Sequence, residues 1–176
     1  SYALKALSGF VGNFKSTLSK VSQEEEEDRA NSNSIHLEHG IIIVATGGKA
    51  LKPSEYRYGQ SEKIVTQQEF ESMITSTSLV RDLQEVAMIQ CVGARNKERS
   101  YCARICCSEA IKNALKFKEM NRNARILIFY RDVRTFGFLE DYYALAREKG
   151  ILFIRYDPER EPKIEIRGNN ISLMYY

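Results

Sequence analysis

The sequence predicts an α/β fold in which a Rossmann-like parallel sheet is flanked by helices and preceded by an N-terminal β-hairpin. From residue 85 to residue 156, short apolar runs alternate with amphipathic stretches in the order strand, helix, strand, helix, strand. This alternation is typical of parallel strands that are joined by helical crossovers. Each helical stretch also stops at a common helix terminator, Asn121 in the first and Gly150 in the second.

Residues 1–50 are predicted to form β-structure. Aromatic and β-branched residues between glycines in GFVGNFKSTLSK, residues 9–20, favour a strand. The acidic run at residues 24–28 favours a solvated loop, because like charges repel and extend a segment. The apolar run at residues 41–44, which stops before Gly47, is typical of an interior strand buried on both faces. Together these pieces predict a hairpin around an acidic loop, followed by an interior strand.

Residues 51–84 are predicted to connect this β segment to a Rossmann-like domain at residues 85–176. The connection contains the helical stretch TQQEFESMITS, which begins with a capping box formed by Thr66 and Glu69. The predicted strands of the domain are EVAMIQ, ARILIFY and ILFIR, and PKIEIRG with ISLMYY predicts a terminal hairpin. Its helices are predicted in CSEAIKNALKFKEMN and LEDYYALAREKG.

The composition, 43% hydrophobic and 28% charged residues, is that of an ordinary globular protein. A formal net charge of +3 without a basic run argues against a nucleic-acid partner. No stretch reaches the roughly 20 consecutive apolar residues of a membrane helix, so direct membrane insertion is not expected. The start of the chain lacks a signal-peptide pattern. We therefore expect a cytoplasmic location, where thiols stay reduced.

All four cysteines lie in the window CVGARNKERSYCARICC, residues 91–107. Cys91 follows the first predicted strand of the domain, at the sheet edge where doubly wound folds bind ligands. Cys102 and Cys106 are four residues apart, so they are expected to share one face of the following helix, with Cys107 about 100° further round. Because a helix N-terminus stabilises thiolates, the window predicts a site built on anionic sulfur.

Four interpretations of this window are open on spacing alone. Buried structural thiols are common in protein cores, but they are rarely so concentrated. A disulfide redox pair normally uses C-x-x-C, and structural zinc normally uses paired C-x-x-C knuckles; the window has neither spacing. Four thiolates are also the usual ligand set of a [4Fe–4S] cluster, which is the leading interpretation. A zinc-stabilised interaction domain without redox activity is the main alternative.

Longer stretches of the chain resemble the A subunit of heterodisulfide reductase and its relative in the quinone-interacting membrane-bound oxidoreductase. The matching stretches are MIQCVGAR, YCARICC, AIKNALKFKE, YRDVRTFGFLEDYYALAREKG and FIRYDPE, with GFVGNFK and IIIVATGG nearer the N-terminus. The resemblance covers nearly the whole chain, and the cysteine spacing C-x10-C-x3-C-C is specific to this family.

The resemblance implies a thioredoxin-reductase-like fold and an iron–sulfur flavoprotein that carries electrons within a multi-subunit complex. The cluster ligands that it implies are Cys91, Cys102, Cys106 and Cys107. The strand-end residues that it implies beside FAD are Ala45, Thr46, Gly47 and Gly48. Electrons would then pass between FAD, a [4Fe–4S] cluster and partner iron–sulfur subunits of a heterodisulfide-reductase-like complex. A homodimer is also left open.

Two departures from the family pattern indicate a partial or internal piece of such a protein. The family often carries an inserted ferredoxin with C-x-x-C repeats between GFVGNFK and IIIVATGG, whereas this chain has only the acidic run there. The G-x-G-x-x-G sequence that grips the FAD pyrophosphate is also absent. The N-terminal hairpin would then belong to an incomplete FAD-binding lobe, and we do not expect the chain to be active alone.

The residues after the second predicted strand of the domain are also candidates for the site. Tyr130, Arg131 and Asp132 follow that strand directly, and Arg134 and Thr135 lie just beyond them. They belong to the stretches that resemble the family and are expected to shape the edge of the cluster or the flavin. A surface turn held by salt bridges is the competing interpretation.

Overall fold

The structure is a computed structural model that describes residues 1–21, 34–76 and 79–176. The described chain divides into two compact units, Ser1–Lys49 and Ala50–Tyr176. The acidic loop predicted at residues 24–28 lies outside the described residues. The assignment of the predicted segments to a flavin lobe, a connection and a cluster domain stays a prediction.

The first unit contains a three-stranded antiparallel sheet among its described residues, in the order β1-β2-β3. These strands are β1 Tyr2–Phe10, β2 Asn13–Lys20 and β3 Ser34–His39. A tight turn divides the strand predicted at residues 9–20, and Gly12 in that turn has a φ of 95°, which glycine adopts without steric cost. The antiparallel pairing of β2 with β3 confirms the predicted hairpin around the acidic segment.

The interior strand predicted at residues 41–44 is wrong. These residues have no regular secondary structure, and the side chains of Ile43 and Val44 are each 81% exposed. An interior strand needs hydrogen-bonded strands along its edges and packed layers on its faces. Among the described residues of this unit, the sheet consists of β1, β2 and β3, and the apolar run does not pair with any of them.

The second unit confirms the predicted α/β fold with a parallel sheet. Its parallel strands pair in the order β4-β5-β6. Its helices and parallel strands are α1 Gln67–Ser76, β4 Glu85–Ile89, α2 Cys106–Met120, β5 Arg125–Tyr130, α3 Leu139–Glu148 and β6 Leu152–Arg155. A 3₁₀ turn spans Leu79–Asp82, and the predicted terminal hairpin is formed by β7 Lys163–Arg167 and β8 Asn170–Met174.

Helix α2 lies at the centre of the main hydrophobic core. The residues that it buries are Cys107, Ala110, Ile111, Asn113, Ala114, Leu115 and Phe117. The Phe117 ring packs edge-on against Phe70 of α1, with ring centroids 5.8 Å apart. The Asn113 side chain donates a 3.1 Å hydrogen bond to the Gln67 carbonyl oxygen. The same core includes Ile126 and Ile128 of β5, so α2 is fixed against both the sheet and α1.

The predicted capping box is confirmed at the start of α1. The Thr66 backbone N–H donates to Glu69 Oε2 at 2.7 Å, and the Glu69 N–H donates to Thr66 Oγ1 at 3.3 Å. Thr66→Ala removes the hydroxyl that accepts this second bond, so we expect the free energy of unfolding to fall by about 1 kcal/mol.

Urea denaturation of the chain measures this change. Thr75→Ala is the matched control, because the Thr75 hydroxyl only donates to carbonyl oxygens of its own helix, those of Glu71 and Ser72. Its loss is expected to change stability by less than about 0.5 kcal/mol. Equal losses in the two variants contradict the capping role of Thr66.

Candidate functional site

The carboxyl ends of the three parallel strands bring separate segments of the chain to one edge of the sheet. The backbone hydrogen bonds between the strands continue past β4, where the Gln90 N–H donates to the Phe129 carbonyl oxygen at 2.9 Å. It continues past β6 with a 2.9 Å bond from the Tyr156 N–H to the Tyr130 carbonyl oxygen. The segments that follow the strands therefore start side by side, and Cys91 begins one of them.

The cysteine window runs from the end of β4 to the first turn of α2. Cys91 follows β4 and has a left-handed backbone with a φ of 64°. Cys102 lies in the irregular segment before α2, and Cys106 and Cys107 are the first two residues of that helix. All four are free thiols; Cys107 is buried and the other three are half-buried.

The prediction that Cys102 shares a helix face with Cys106 is wrong. Helix α2 begins only at Cys106, after Ile105 as its N-cap. Arg104 has a φ of 62°, a left-handed conformation that interrupts any helical path through the preceding residues. The Arg104 backbone N–H instead donates to Cys102 Sγ at 3.4 Å, which orients this thiol from a turn.

The other three cysteines all raise the pKa of Cys106. A hydrogen bond from the Cys106 S–H to the Cys107 sulfur raises the pKa of Cys106, and burial raises it further. The negative charges of Cys107, Cys91 and Cys102 add to this rise in the pKa of Cys106.

Cys107 has the opposite shift. The hydrogen bond from Cys106 lowers the pKa of Cys107 to about 6, although burial acts against this. The backbone N–H of Arg134 and the charges of Arg134 and Arg95 also lower the pKa of Cys107. In its thiol form Cys107 donates to the Asp132 carbonyl oxygen at 3.7 Å, so the turn after β5 contacts the window directly.

Arg95 ties the cysteine window to the turn after β5. Its Nη2 lies 2.6 Å from Asp132 Oδ2, and its Nη1 donates to Cys91 Sγ at 3.9 Å. Arg131 Nη1 donates to the Arg95 carbonyl oxygen at 3.0 Å. The hydrogen bond from Arg95 lowers the pKa of the Asp132 carboxyl, although burial acts against it. The turn therefore has the ion pairs of a salt-bridged surface turn, and it also lines the cysteine window.

Sequence reasoning missed two residues of this edge, Gln90 and Tyr156. The Tyr156 hydroxyl donates to the Gln90 carbonyl oxygen at 2.7 Å in a buried position, and burial raises the pKa of Tyr156. Gln90 is itself only 3% exposed. The sequence did carry a signal for Gln90. This residue ends an apolar strand and directly precedes a cysteine, so its polar side chain is expected to be buried.

The described residues do not form a ready metal site. Within residues 1–21, 34–76 and 79–176, no group of three or more His, Cys, Asp or Glu side chains is arranged to hold a metal ion. The four thiols lie in one segment of the chain, and their role as ligands stays a prediction.

The predicted flavin contacts lie in the first unit, in a segment without regular secondary structure. These contacts are Ala45, Thr46, Gly47 and Gly48. A Cβ atom added at Gly47 or Gly48 meets no atom within 4 Å, so no packed cradle surrounds them. Their role beside FAD stays a prediction. Among the described helices, none is both long enough and apolar enough to cross a lipid bilayer.

The contacts of Arg95 lead to a prediction about stability. Arg95→Met keeps the length of the side chain but removes its ion pair with Asp132, and the Arg95 side chain is only 20% exposed. We expect the free energy of unfolding to fall by about 1 kcal/mol, which is typical of a partly exposed pair. Arg99→Met is the control, because the pair of Arg99 with Glu98 is long, 3.9 Å, and exposed. Equal unfolding midpoints for wild type and Arg95→Met contradict the prediction.

Comparison with known proteins finds relatives of this chain. No family model matches it. The A subunit of the H2:CoB–CoM heterodisulfide, ferredoxin reductase of Methanothermobacter thermautotrophicus is 36% identical over 79% of this chain and 23% of that protein. The A 1 iron–sulfur subunit of the CoB–CoM heterodisulfide reductase of Methanopyrus kandleri is 37% identical over 77% of this chain and 22% of that protein.

A third relative is the A subunit of the ferredoxin/F420H2-dependent CoB–CoM heterodisulfide reductase of Methanosarcina acetivorans. It is 37% identical over 69% of this chain and 17% of that protein. The chain thus spans less than a quarter of the length of these relatives, which are all subunits of oxidoreductases. The chain is therefore a homologue of one part of the heterodisulfide reductase A subunit.

Proposed function

We propose that this chain is an electron-transfer piece of a heterodisulfide-reductase-like complex. Cys91, Cys102, Cys106 and Cys107 would hold a [4Fe–4S] cluster that exchanges electrons with FAD and with partner iron–sulfur subunits. The observation that carries the proposal is that four free thiols lie in the one segment that joins the carboxyl end of β4 to the first turn of α2. Relatives named as iron–sulfur subunits support it.

The donor type of the window is that of such a cluster, although the described residues do not bring three of these donors together as a metal site. Four thiolates are its usual ligands. The first turn of α2 has no side-chain cap, so its free N–H groups and the helix dipole favour negative charge beside Cys106 and Cys107. Arg95 and Arg134 add positive charge near the same sulfur atoms. The side-chain amide nitrogen of Gln90, the residue before Cys91, is buried and has no hydrogen-bond partner in the structure.

In this proposal the protein positions and tunes the site. A bound cluster would supply one-electron redox chemistry, and no proton transfer by a side chain is required. The end of β4 and the start of α2 hold the thiols, because both are fixed by the packed core. The Arg95–Asp132 pair fixes the intervening loop against the turn after β5. The lowered pKa of Cys107 favours the thiolate, the form in which cysteine binds metals.

The flavin part of the proposal rests on the A-T-G-G sequence at residues 45–48 and on the family resemblance. The described residues around Gly47 and Gly48 do not fit a flavin as they stand, because nothing packs beside them, and we derive no step through FAD. The partner subunits are proposed because the relatives are named as subunits of larger complexes. The homodimer stays a prediction.

Visible spectroscopy of anaerobically purified protein tests the cluster. We expect a broad absorbance that dithionite bleaches, with iron and acid-labile sulfide in equal amounts. Cys102→Ser is expected to abolish or alter this absorbance, because it replaces a ligand. Ser100→Ala is the matched control, since Ser100 is an exposed residue of the same loop. A colourless wild-type protein with one equivalent of zinc contradicts the proposal and supports a zinc-stabilised interaction domain without redox activity.

Flavin binding has a separate test. Because no packed cradle surrounds residues 45–48, we expect this chain alone not to retain FAD after incubation with excess cofactor and desalting. The flavin absorbance and fluorescence of the desalted protein measure the retained amount. Stoichiometric retention that Gly47→Val abolishes contradicts the expectation and assigns the contact to this segment, and Gly59→Val, at a glycine with an equally open Cβ position, is the control.

A further inference from the structure

Residues 51–58 form a segment without helix or strand, which we call the strap, and it lies against the first turn of the cysteine window. A Cβ atom built on Gly93 would lie 2.5 Å from Leu51 Cδ2 and 3.6 Å from Glu55 Oε1. Strap and turn both belong to the unit Ala50–Tyr176. Two segments that are about 40 residues apart in the sequence are therefore in direct contact at the start of the window.

The structure requires glycine at the point where the strap meets the turn. Gly93 has a φ of 64°, which glycine adopts without steric cost. The space that a side chain of residue 93 would need is occupied by the Leu51 side chain. Gly93 lies in a turn that the Ala94 N–H closes by donating to the Cys91 carbonyl oxygen at 3.2 Å. The absence of a side chain at Gly93 thus lets Leu51 close over the backbone that follows Cys91.

The backbone of the strap is strained. Tyr56 and Arg57 are consecutive residues with left-handed backbones, and their φ values are 51° and 59°. This region is sterically disfavoured for every residue that has a Cβ atom. Such strain persists only where the surrounding contacts impose it, and it concentrates in clamps and switch segments. The conformation of the strap is therefore selected by its contacts and not by its own backbone.

Side-chain hydrogen bonds hold the strap in this conformation. The Tyr56 hydroxyl donates to Glu161 Oε2 at 3.4 Å, in the segment between β6 and β7. The Arg57 Nε donates to the Ile164 carbonyl oxygen of β7 at 3.2 Å. The Tyr58 hydroxyl donates to a carboxylate oxygen of α1 at 2.7 Å. The strap is thus tied to elements on both sides of the turn that it contacts.

These contacts lie at the surface, so the strap can open while the rest of the unit stays folded. All three hydrogen bonds are exposed to solvent, and Leu51 is still 43% exposed. Segments with few buried apolar contacts and exposed hydrogen bonds open locally at a far lower free energy than global unfolding. By contrast, Cys107 and Phe117 of α2 are buried in the packed part of the unit. Strain and exposure together make the strap an element that opens by itself.

We propose that the strap is a lid that Leu51 seats on Gly93, and that its local opening controls the access of solvent to the turn that begins at Cys91. In the closed form Cys91 is half-buried. The contacts that close the lid are made by side chains outside the set of four thiols. The proposal is therefore independent of the group that these thiols hold, and its failure would leave the proposed function untouched.

Hydrogen exchange of the full chain, followed by mass spectrometry, tests the lid. Leu51→Ala removes the side chain that seats it, so we expect the amide hydrogens of residues 91–95 to exchange about fivefold faster. Those of β5 and α2 are expected to keep their wild-type rates. Leu83→Ala is the matched control, because Leu83 is similarly exposed, 38%, and precedes β4 at the opposite end of the strand. Unchanged rates at residues 91–95 in Leu51→Ala overturn the proposal, and so does an equal acceleration in β5 and α2, which would mean that Leu51 only stabilises the fold.

A double-variant comparison tests the seat itself. In Gly93→Ala the added Cβ atom meets Leu51, so we expect faster exchange in the strap; Gly137→Ala, at a glycine with the same φ of 64° and an open Cβ position, is the control and is expected to leave the strap unchanged. In Gly93→Ala, the further change Leu51→Ala removes the clashing atom and is expected to accelerate exchange less than it does in wild type. Equal acceleration in the two backgrounds overturns the seat. Should Gly93→Ala not fold, Leu51→Ala against Leu83→Ala decides the proposal.

Discussion

The packing of helix α2 on the parallel sheet is the constraint on which the candidate site depends. One face of α2 is buried, and Phe117 within it is completely inaccessible. Burial of such a side chain contributes roughly 2–3 kcal/mol, so the helix cannot slide or rotate without a large loss. Its first residues, Cys106 and Cys107, are thereby held beside the carboxyl ends of β4 and β5. The apolar core thus sets the position of these two thiols.

The loop between β4 and α2 contains several residues with a strained, left-handed backbone. Cys91, Arg95 and Arg104 all have left-handed backbones, with φ values of 64°, 57° and 62°. Residues other than glycine adopt this region at a cost of about 1 kcal/mol or more each, and such strain concentrates at functional sites. The loop recovers part of this cost through the Arg95–Asp132 pair and the bond from the Arg104 N–H to Cys102.

The sequence predicted those parts of the fold that depend on local patterns. The alternation after residue 85, the capping box at Thr66 and the terminal hairpin are read from periodicity and from single residue types, and all are present. The prediction of a strand at residues 41–44 was wrong. An apolar run indicates only a tendency to be buried, whereas a strand also requires a neighbouring strand to pair with. The prediction that Cys102 shares a helix face with Cys106 was wrong because the left-handed backbone of Arg104 has no signature in the sequence. Gln90 was missed because burial of a polar residue depends on tertiary packing.

The fold alone does not decide which group four thiolates would hold. Zinc and an iron–sulfur cluster both leave a net negative charge on such a site, so Arg95, Arg134 and the start of α2 favour either one. The two groups differ in that zinc keeps a fixed charge, whereas an iron–sulfur cluster changes its charge with each electron. A site that gains or loses charge with each electron changes its visible absorbance on reduction, and this is the property that distinguishes a cluster from zinc.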